Sequence, residues 1–480
     1  MMKNFLFLFL ASSAVLFAQN ASVSGRVLDS GEAVVPGAAV TLLNTDTQVT
    51  LKTVSDASGV FILPPLTSGH YQATVTAGGY SAWVQSGIVL EVGEKYELNP
   101  VLQIGSVSQS VTVTATAPEL KTEDSDLSIV TETALVESIP LDVRNPLQEV
   151  NFTVGVTQSN SLTAGTNAST QSTTNTFYIS GTKGGESDIQ IDGATDTINY
   201  DTHAAGAIPG LDAVREFRTY TEAYSPEFGH TGGGIESFTI KSGANDLHGG
   251  AWEYYRNDVF DANGYNANAA AQAKPSFSRN QFGAQIGGPV VIPKVYHGRS
   301  RTFFFFSYEQ LRDSSPGSGF TTTVPTALEK IGNFSQTFNP NGSQIVIYDP
   351  STITAGVRTP FSGNIIPASR FNSVGQALLA LYPLPNQKGV GGSDEHNFFS
   401  DAPNTDNDYS YDIRIDHKFS DKQSIFGHVD EFNNHILYGQ VFGSPSLTPQ
   451  NSNDYIPGRN IMVDHTWVIS PSVVFEHHIS

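Results

Sequence analysis

The stretch "YDIRIDHKF", residues 411–419, alternates by twos: Tyr411, Ile413, Ile415 and Phe419 oppose Asp412, Arg414, Asp416 and Lys418. A period of two is the signature of a strand with two unlike faces and is incompatible with a helix. "NQFGAQIGG" repeats it, with Phe282, Ala284 and Ile286 against Gln281, Gly283 and Gln285. Further candidates are residues 250–256, 302–311, 425–431, 461–469 and 473–479. Seven such segments in series predict an antiparallel sheet. Two architectures use it: a soluble sandwich with one wet face, and an outer-membrane barrel with its apolar side to lipid and its polar side inward. Periodicity leaves both open.

The N-terminus bears on the choice. "MMKNFLFLFLASSAVLFAQ" carries Lys3, an apolar run to Phe17 and then Ala18, the layout of a secretory signal peptide over residues 1–18, although Leu16 sits where a small residue is preferred before the cut. A buried N-terminal helix is the competing reading. No later stretch approaches 18 apolar residues, so a membrane-spanning form of this chain would need a closed β-barrel. With 25 Lys+Arg against 46 Asp+Glu the net charge is −21, which disfavours nucleic acid and anionic lipid faces as partners. The absence of Cys removes disulfides, thiolate metal sites and cysteine nucleophiles.

Residues 21–103 hold short alternating runs at intervals of roughly ten residues, punctuated by Gly25, Gly37, Gly59, Gly69 and Gly79, the pattern of a small antiparallel sandwich. "GRVLD" at Gly25 to Asp29, "GAAV" at Gly37 to Val40, "SDASGVF" at Ser55 to Phe61, "LTSGHY" at Leu66 to Tyr71 and the Gly79-Tyr80 pair resemble the carboxypeptidase-regulatory-like domain. The resemblance implies a transthyretin-like, carbohydrate-binding-like fold. Phe61, Leu66, Tyr71 and Tyr80 read as packing residues. Tyr71, Tyr80 and Trp83 are the residues able to stack on a sugar, and core packing is the reading preferred for them.

The linker 104–120 contains Val111, Thr112, Val113, Thr114 and Ala115, a β-competent run able to add to the edge of another protein's sheet. It resembles the TonB box of outer-membrane receptors; a last sandwich strand or plain linker is the alternative. In residues 121–247, "TETALVESIPL" reads as a short helix stopped by Pro140, "VRNPLQEVNFTVGV" as a helix start and turn, and residues 159–175 as a polar loop. "NTFYISG", "ESDIQIDGATD", "LDAVREFRTYT" and "GGIESFTIKSG" read as short strands with one helical turn among them, together a compact α/β unit. "SGTKGGESDIQIDG", "VREFRTYTEAYSPEFGHTGGG" and "FTIKSGAND" resemble the plug of TonB-dependent receptors. Asp188, Asp192 and Asp196 step by four, but no His or bidentate Glu accompanies them and Asp192-Gly193 is a turn signal, so no metal site is assigned.

In residues 248–480, "RNQFGAQIGGPV", "RTFFFFSYEQLRD", "IPASRFNSVGQALLALYPLPN" and "YDIRIDHKFSDKQSIFGHV" resemble the Oar-like subgroup of TonB-dependent receptors. Residues 312–408, rich in Pro, Asn, Gly and Ser, read as one long outer loop without strands. One amphipathic helix in it, with Val374, Ala377, Leu378 and Leu381 on a face, is expected to pack in the loop's core. The family's barrel has some twenty-two strands, and seven are found here, so the sequence reads as an N-terminal fragment whose barrel is incomplete.

The fold class expected is therefore mainly β: sandwich, α/β plug and the first strands of an outer-membrane barrel. No G-x-S-x-G, H-E-x-x-H or P-loop is present, His477 and His478 fall on opposite strand faces, and neither an enzyme nor a cofactor is expected. The resemblance implies an outer-membrane importer of a large substrate, such as an oligosaccharide, siderophore or peptide. Its expected partners are a TonB-type energy-coupling protein in the periplasm, outer-membrane lipid and the extracellular substrate. A surface adhesion or structural protein built from the same modules is the alternative.

Overall fold

The computed structural model describes residues 21–105, 110–114, 126–132, 144–158, 177–198 except 184, 204–269 except 226, 227, 229 and 230, and 274–480 except 275, 316–318, 444–446 and 448–452. The expected leader, the segment 133–141 of the expected helix, the expected polar loop 159–175 and Ala115 lie outside the described residues. The chain is mainly β.

The N-terminal unit is built from β1 (Ser22–Arg26), β2 (Ala39–Asn44), β3 (Thr50–Val54), β4 (Val60–Ile62), β5 (Gly69–Thr76), β6 (Ala82–Leu90), β7 (Lys95–Glu97) and β8 (Ser110–Thr114). They form a three-stranded sheet, β4-β1-β7, and a five-stranded sheet, β8-β6-β5-β2-β3. Alternate residues enter a core of Val23, Val40, Leu42, Phe61, Leu66, Tyr71, Val75, Trp83 and Leu90, all buried, with Tyr80 packed against it. Tyr71 and Trp83 are thus core residues, since alternation along β5 and β6 leaves them no other direction.

The next unit pairs β9 (Leu127–Glu132), β10 (Asp188–Ile191), β11 (Ala194–Thr195), β12 (Val214–Glu222) and β13 (Ile235–Ile240) in the order β9-β12-β13-β10-β11. Its described helical parts are 3-10 turns at Pro146–Phe152 and Leu211–Ala213. β10 and β11 are joined through Asp192 and Gly193, whose φ values of 49° and 90° are both in the left-handed region. Such a two-residue turn favours Asp-Gly because its twist matches that of the strands.

Seven strands follow in one antiparallel sheet: β14 (His248–Asn257), β15 (Ser278–Pro289), β16 (Thr302–Ser315), β17 (Asn404–Ser420), β18 (Gln423–Leu437), β19 (Asp454–Ser470) and β20 (Val473–Ile479). They pair in chain order and the sheet does not close on itself. The expected segments each fall inside one strand, but most strands run longer. The polar residues 312–315 pair with 404–407 as strand, not loop, because the ladder is made by the backbone and needs no apolar side chain.

Between β16 and β17 the loop expected to lack strands contains two small antiparallel pairs, Phe320–Thr322 with Phe398–Ser400 and Tyr348–Thr354 with Val357–Pro360. Three of these strands have only three or four residues, and Tyr348–Thr354 carries Pro350 and no regular apolar alternation, so none registers as periodicity. The amphipathic helix forms as α1 (Ser373–Leu381), but Val374, Leu378 and Leu381 are exposed, so its apolar face does not pack in a loop core as expected. Part of the loop is instead organised by polar contacts. Asn364 donates to the carbonyls of Phe334 and Ile345 at 2.6 and 2.8 Å and accepts from the Ile347 amide at 2.7 Å.

Candidate functional site

In β17 the apolar Ile415 and Phe419 are each 51% exposed, while Asp412 and Arg414 are 1% and 2% exposed. β19 repeats the inversion: Ile461, Val463, Trp467 and Ile469 are exposed, and Asp464 and Thr466 are buried. A soluble sandwich buries its apolar face. Here the polar face is buried, because the unit of β9–β13 lies against it.

Contact between that unit and the seven-stranded wall is partly apolar. Phe432 joins the cluster of Leu147, Val150, Phe177, Ile179 and Phe238; Phe305 packs with Ile191, Ala213 and Ile240; Met462 meets Ala194. The rest is ionic and hydrogen-bonded. The Asp192-Gly193 turn projects the Asp192 carboxylate between Arg414 on β17, 2.9 Å away, and Nδ1 of His428 on β18, also at 2.9 Å. The Ile240 amide donates to the same carboxylate at 3.2 Å. Burial opposes the charge on Asp192, yet Arg414 and His428 outweigh it and hold the group below the usual carboxylate range.

Nε2 of His428 faces Asn460 Oδ1 at 3.0 Å and Asp430 at 3.2 Å. Asn460 on β19 donates to Asp196 at 3.0 Å, and the Ala207 amide donates to the other oxygen of Asp196, also at 3.0 Å. Arg414 also holds Asp416 at 3.0 Å, and Ser242 donates to Asp416 at 2.6 Å. Gly210 N–H reaches Asp412 at 3.3 Å. Asp196, with no cation beside it among the described residues, is pushed up to about 7 by burial despite these hydrogen bonds. Asp188 accepts from Gln190 at 2.7 Å and Thr197 at 2.9 Å. The three aspartates singled out by spacing thus face three different sets of partners, two of them drawn from the wall.

At the same end of the wall the N-terminal unit touches both neighbours. Lys418 Nζ donates to the Thr50 carbonyl at 2.8 Å and Asn245 to the Thr47 carbonyl at 2.9 Å. Glu216 on β12 accepts from the Val92 amide, and Arg218 donates to the Val92 carbonyl. Gly243 of the "KSG" turn runs so close to the wall that an added Cβ would lie 2.4 Å from the Phe304 carbonyl oxygen. Only glycine permits that approach, so the turn lets the chain pass directly from β13 to β14.

Val111, Thr112, Val113 and Thr114 lie in β8, which pairs in parallel with β6, Val111 opposite Trp83 and Thr114 opposite Ser86. The run expected to be open to a partner is therefore already paired along one edge.

Sequence reasoning assigned no role to His428, Asp430 or Asn460. The only signal for them is a polar residue on the inner period of a strand, and Asp412, Arg414 and Asp416 were legible by that rule alone.

Residues 239–480 match the outer membrane beta barrel domain family, and residues 22–103 match the carboxypeptidase regulatory-like domain family. The TonB-dependent transporter Oar of Myxococcus xanthus is 23% identical over 305 residues, covering 62% of this chain; the chain spans 28% of the length of that relative. Among solved structures, a mutant of the ferric enterobactin receptor of Pseudomonas aeruginosa is similar at a TM-score of 0.38 and 10% identity, covering 71% of this chain and 38% of that one. The siderophore receptor PirA of Acinetobacter baumannii is similar at a TM-score of 0.32 and 13% identity, covering 71% of this chain and 45% of its own.

Proposed function

Because the chain belongs to the outer membrane beta barrel domain family, and so has its place in the outer membrane, we propose that it serves as a TonB-dependent receptor that imports a large substrate. In this reading residues 121–247 are the plug, residues 248–480 are barrel wall, and the sandwich of residues 21–103 hangs in the periplasm below them. The observation that carries the reading is the inverted wall. Its outer face is apolar and exposed, as lipid requires, and its inner face is polar and bonded to the plug through Asp192, Asp196, Arg414 and His428.

A plug held in large part by polar contacts, beside the apolar ones of Phe305, Phe432 and Met462, suits a gate. Charged and hydrogen-bonding side chains that lose a protein partner can regain water when the plug shifts, whereas an apolar contact of similar size would have to expose its surface. Val111, Thr112, Val113, Thr114 and Ala115 recruit the periplasmic energy-coupling protein, and tension along the segment that follows them reaches the plug. The substrate is of unknown class, an oligosaccharide, siderophore or peptide.

Cell fractionation with protease protection on the full-length gene product tests this, with and without residues 111–115. Outer-membrane protein cut from outside within residues 316–403, with a partner cross-link lost on the deletion, is the expected result. Outer-membrane protein with an unchanged cross-link would remove the recruitment role. Outer-membrane protein that supports no uptake and needs no coupling protein would favour adhesion, a role for which the exposed helix α1 in the long loop is the one supporting feature.

A further inference from the structure

Between Asp261 and Glu309 the chain has no acidic residue, while Lys294, His297 and Arg299 fall together in the connection from β15 to β16. In a chain of net charge −21 this is a local reversal of sign. The connection is a hairpin, with Val291–Ile292 paired to Tyr296–His297, and it is held in place. The Ser300 amide donates to Asn245 Oδ1 at 2.6 Å, and Asn245 donates in turn to the Thr47 carbonyl of the sandwich. The Tyr296 hydroxyl meets Thr302, whose Oγ1 lies 2.6 Å from Nδ1 of His417 on β17. The hairpin therefore sits at the end of the wall that the sandwich touches. Lys294, His297 and Arg299 are exposed, and none of them makes an ion pair among the described residues.

Beside the hairpin the outer face of the wall is notched. Gly288 on β15 stands opposite Phe304 on β16, and Phe304 opposite Ile415 on β17, so the three share the apolar outward face. A Cβ built on Gly288 would lie 3.0 Å from Leu247 Cδ1, which places Leu247 on its other side. Because Gly288 has no side chain, a gap remains between Leu247 and Phe304. It is part of a groove of about 660 Å³ lined by these two residues with Val290, Val291, His297 and Arg299. The groove crosses paired strands rather than following the free edge of β14, so a further strand beside β14 would not fill it.

The groove is continuous with the face that lipid covers, which fixes the kind of occupant, and the side chains beside it fix the charge. An acyl chain suits the apolar lining. Arg299 offers a planar fork that matches phosphate oxygens, and Lys294 adds a second positive charge. Basic side chains at a membrane surface favour anionic lipid, whereas a zwitterionic headgroup brings a cation that they oppose. The geometry points to a binding site for one glycerophospholipid of net negative charge in the periplasmic leaflet. Its acyl chain lies between Leu247 and Phe304 and its phosphate on Arg299 and Lys294, which fastens the wall to the leaflet where the sandwich meets it. This site rests on the lipid-facing wall of the reading above and names one lipid contact of that wall.

Photocrosslinking in outer membranes containing the full-length gene product tests the site. The photoreactive residue p-benzoylphenylalanine replaces Val291, in the groove, or Ile415, on the open face at the level of Phe304. Lipid adducts are identified by mass spectrometry. Both positions are expected to capture phospholipid, with the anionic share at 291 about tenfold above that at 415. Lys294→Gln with Arg299→Gln should bring the two positions to the same headgroup mix. The charge-keeping pair Lys294→Arg with Arg299→Lys should retain the enrichment, as should Arg312→Gln, on the same strand as Phe304 but far from the hairpin. Heat-modified mobility of each variant reports that the barrel has formed. Adducts at 415 with none at 291, or the same headgroup mix at both, would overturn the site. Enrichment that survives the double Gln variant would overturn it as well. Absence of lipid adducts at 415 would instead remove the lipid-facing wall, whatever is found at 291.

Discussion

Arg414 is the hub of the contact between the unit of β9–β13 and the wall: it is 2% exposed, lies 2.9 Å from Asp192 and 3.0 Å from Asp416, and stacks over Phe426 at 4.2 Å. Removing one member of a buried ion pair leaves the other charged and unsolvated, at a cost of about 3–5 kcal/mol. Arg414→Ala is therefore expected to release the unit of β9–β13 from the wall at a lower urea concentration, read as maleimide labelling of a reporter cysteine at the buried Ala194. The double variant Asp192→Asn/Arg414→Met should recover part of the loss, since both ends of the pair are then gone; strict additivity would count against the pairing. Glu236 makes a different prediction. It is fully buried, accepts from Ser187 at 2.9 Å through one oxygen, has no partner among the described residues for the other, and is pushed up to about 8 by burial. A carboxyl raised in the fold binds its proton more tightly there than in the unfolded chain. Its contribution is thus complete below the unfolded value and is lost as pH rises toward 8, by up to about 1.4 kcal/mol per pH unit. Glu236→Gln should flatten the fall in stability across that window, measured by urea titration at several pH values. An unchanged slope would mean that Glu236 is ionised in the fold.

At the scale of the strand, what matters is which medium each face meets. Ile415 is half exposed, so on a soluble sheet Ile415→Arg would be nearly neutral. On a lipid-facing strand it should cost about 2–4 kcal/mol near the midplane. Outer-membrane yield and heat-modified mobility of the full-length variant separate the two cases, and wild-type behaviour would argue against the wall reading. All seven strands were legible because alternation is written in neighbouring residues. Their ends at 312–315 and 404–408 were not, since residues on both faces are polar there and no apolar alternation marks them, although Asp313, Asp406 and Asp408 are buried. The face of α1 shows the converse: a helical stripe in the sequence fixes which residues align, but not that anything covers them.

For the whole molecule, the sandwich is tied to the wall mainly through Lys418 and Asn245, which donate to backbone carbonyls in the turn and strand after β2. Contacts of this kind are worth about 0.5–1.5 kcal/mol each, more where the donor is charged, so the barrel does not depend on them. Removing residues 22–105 from the full-length product, with residues 1–20 and β8 kept, is expected to leave outer-membrane localisation intact. Loss of localisation would instead make the sandwich part of the membrane fold. Taken by itself, the sequence determined that the chain is built of strands, which residues share a face, where the tight Asp192-Gly193 turn falls and which families its motifs resemble, because each of these rests on residues near one another in the chain. Only the tertiary structure decided which face of the alternating wall is inside, that Asp192 meets a histidine 236 positions away, and that residues 110–114 lie on the edge of β6. Inside and outside are properties of what fills the concave side of a sheet, and pairing across such distances depends on where whole units come to rest, which no local pattern encodes.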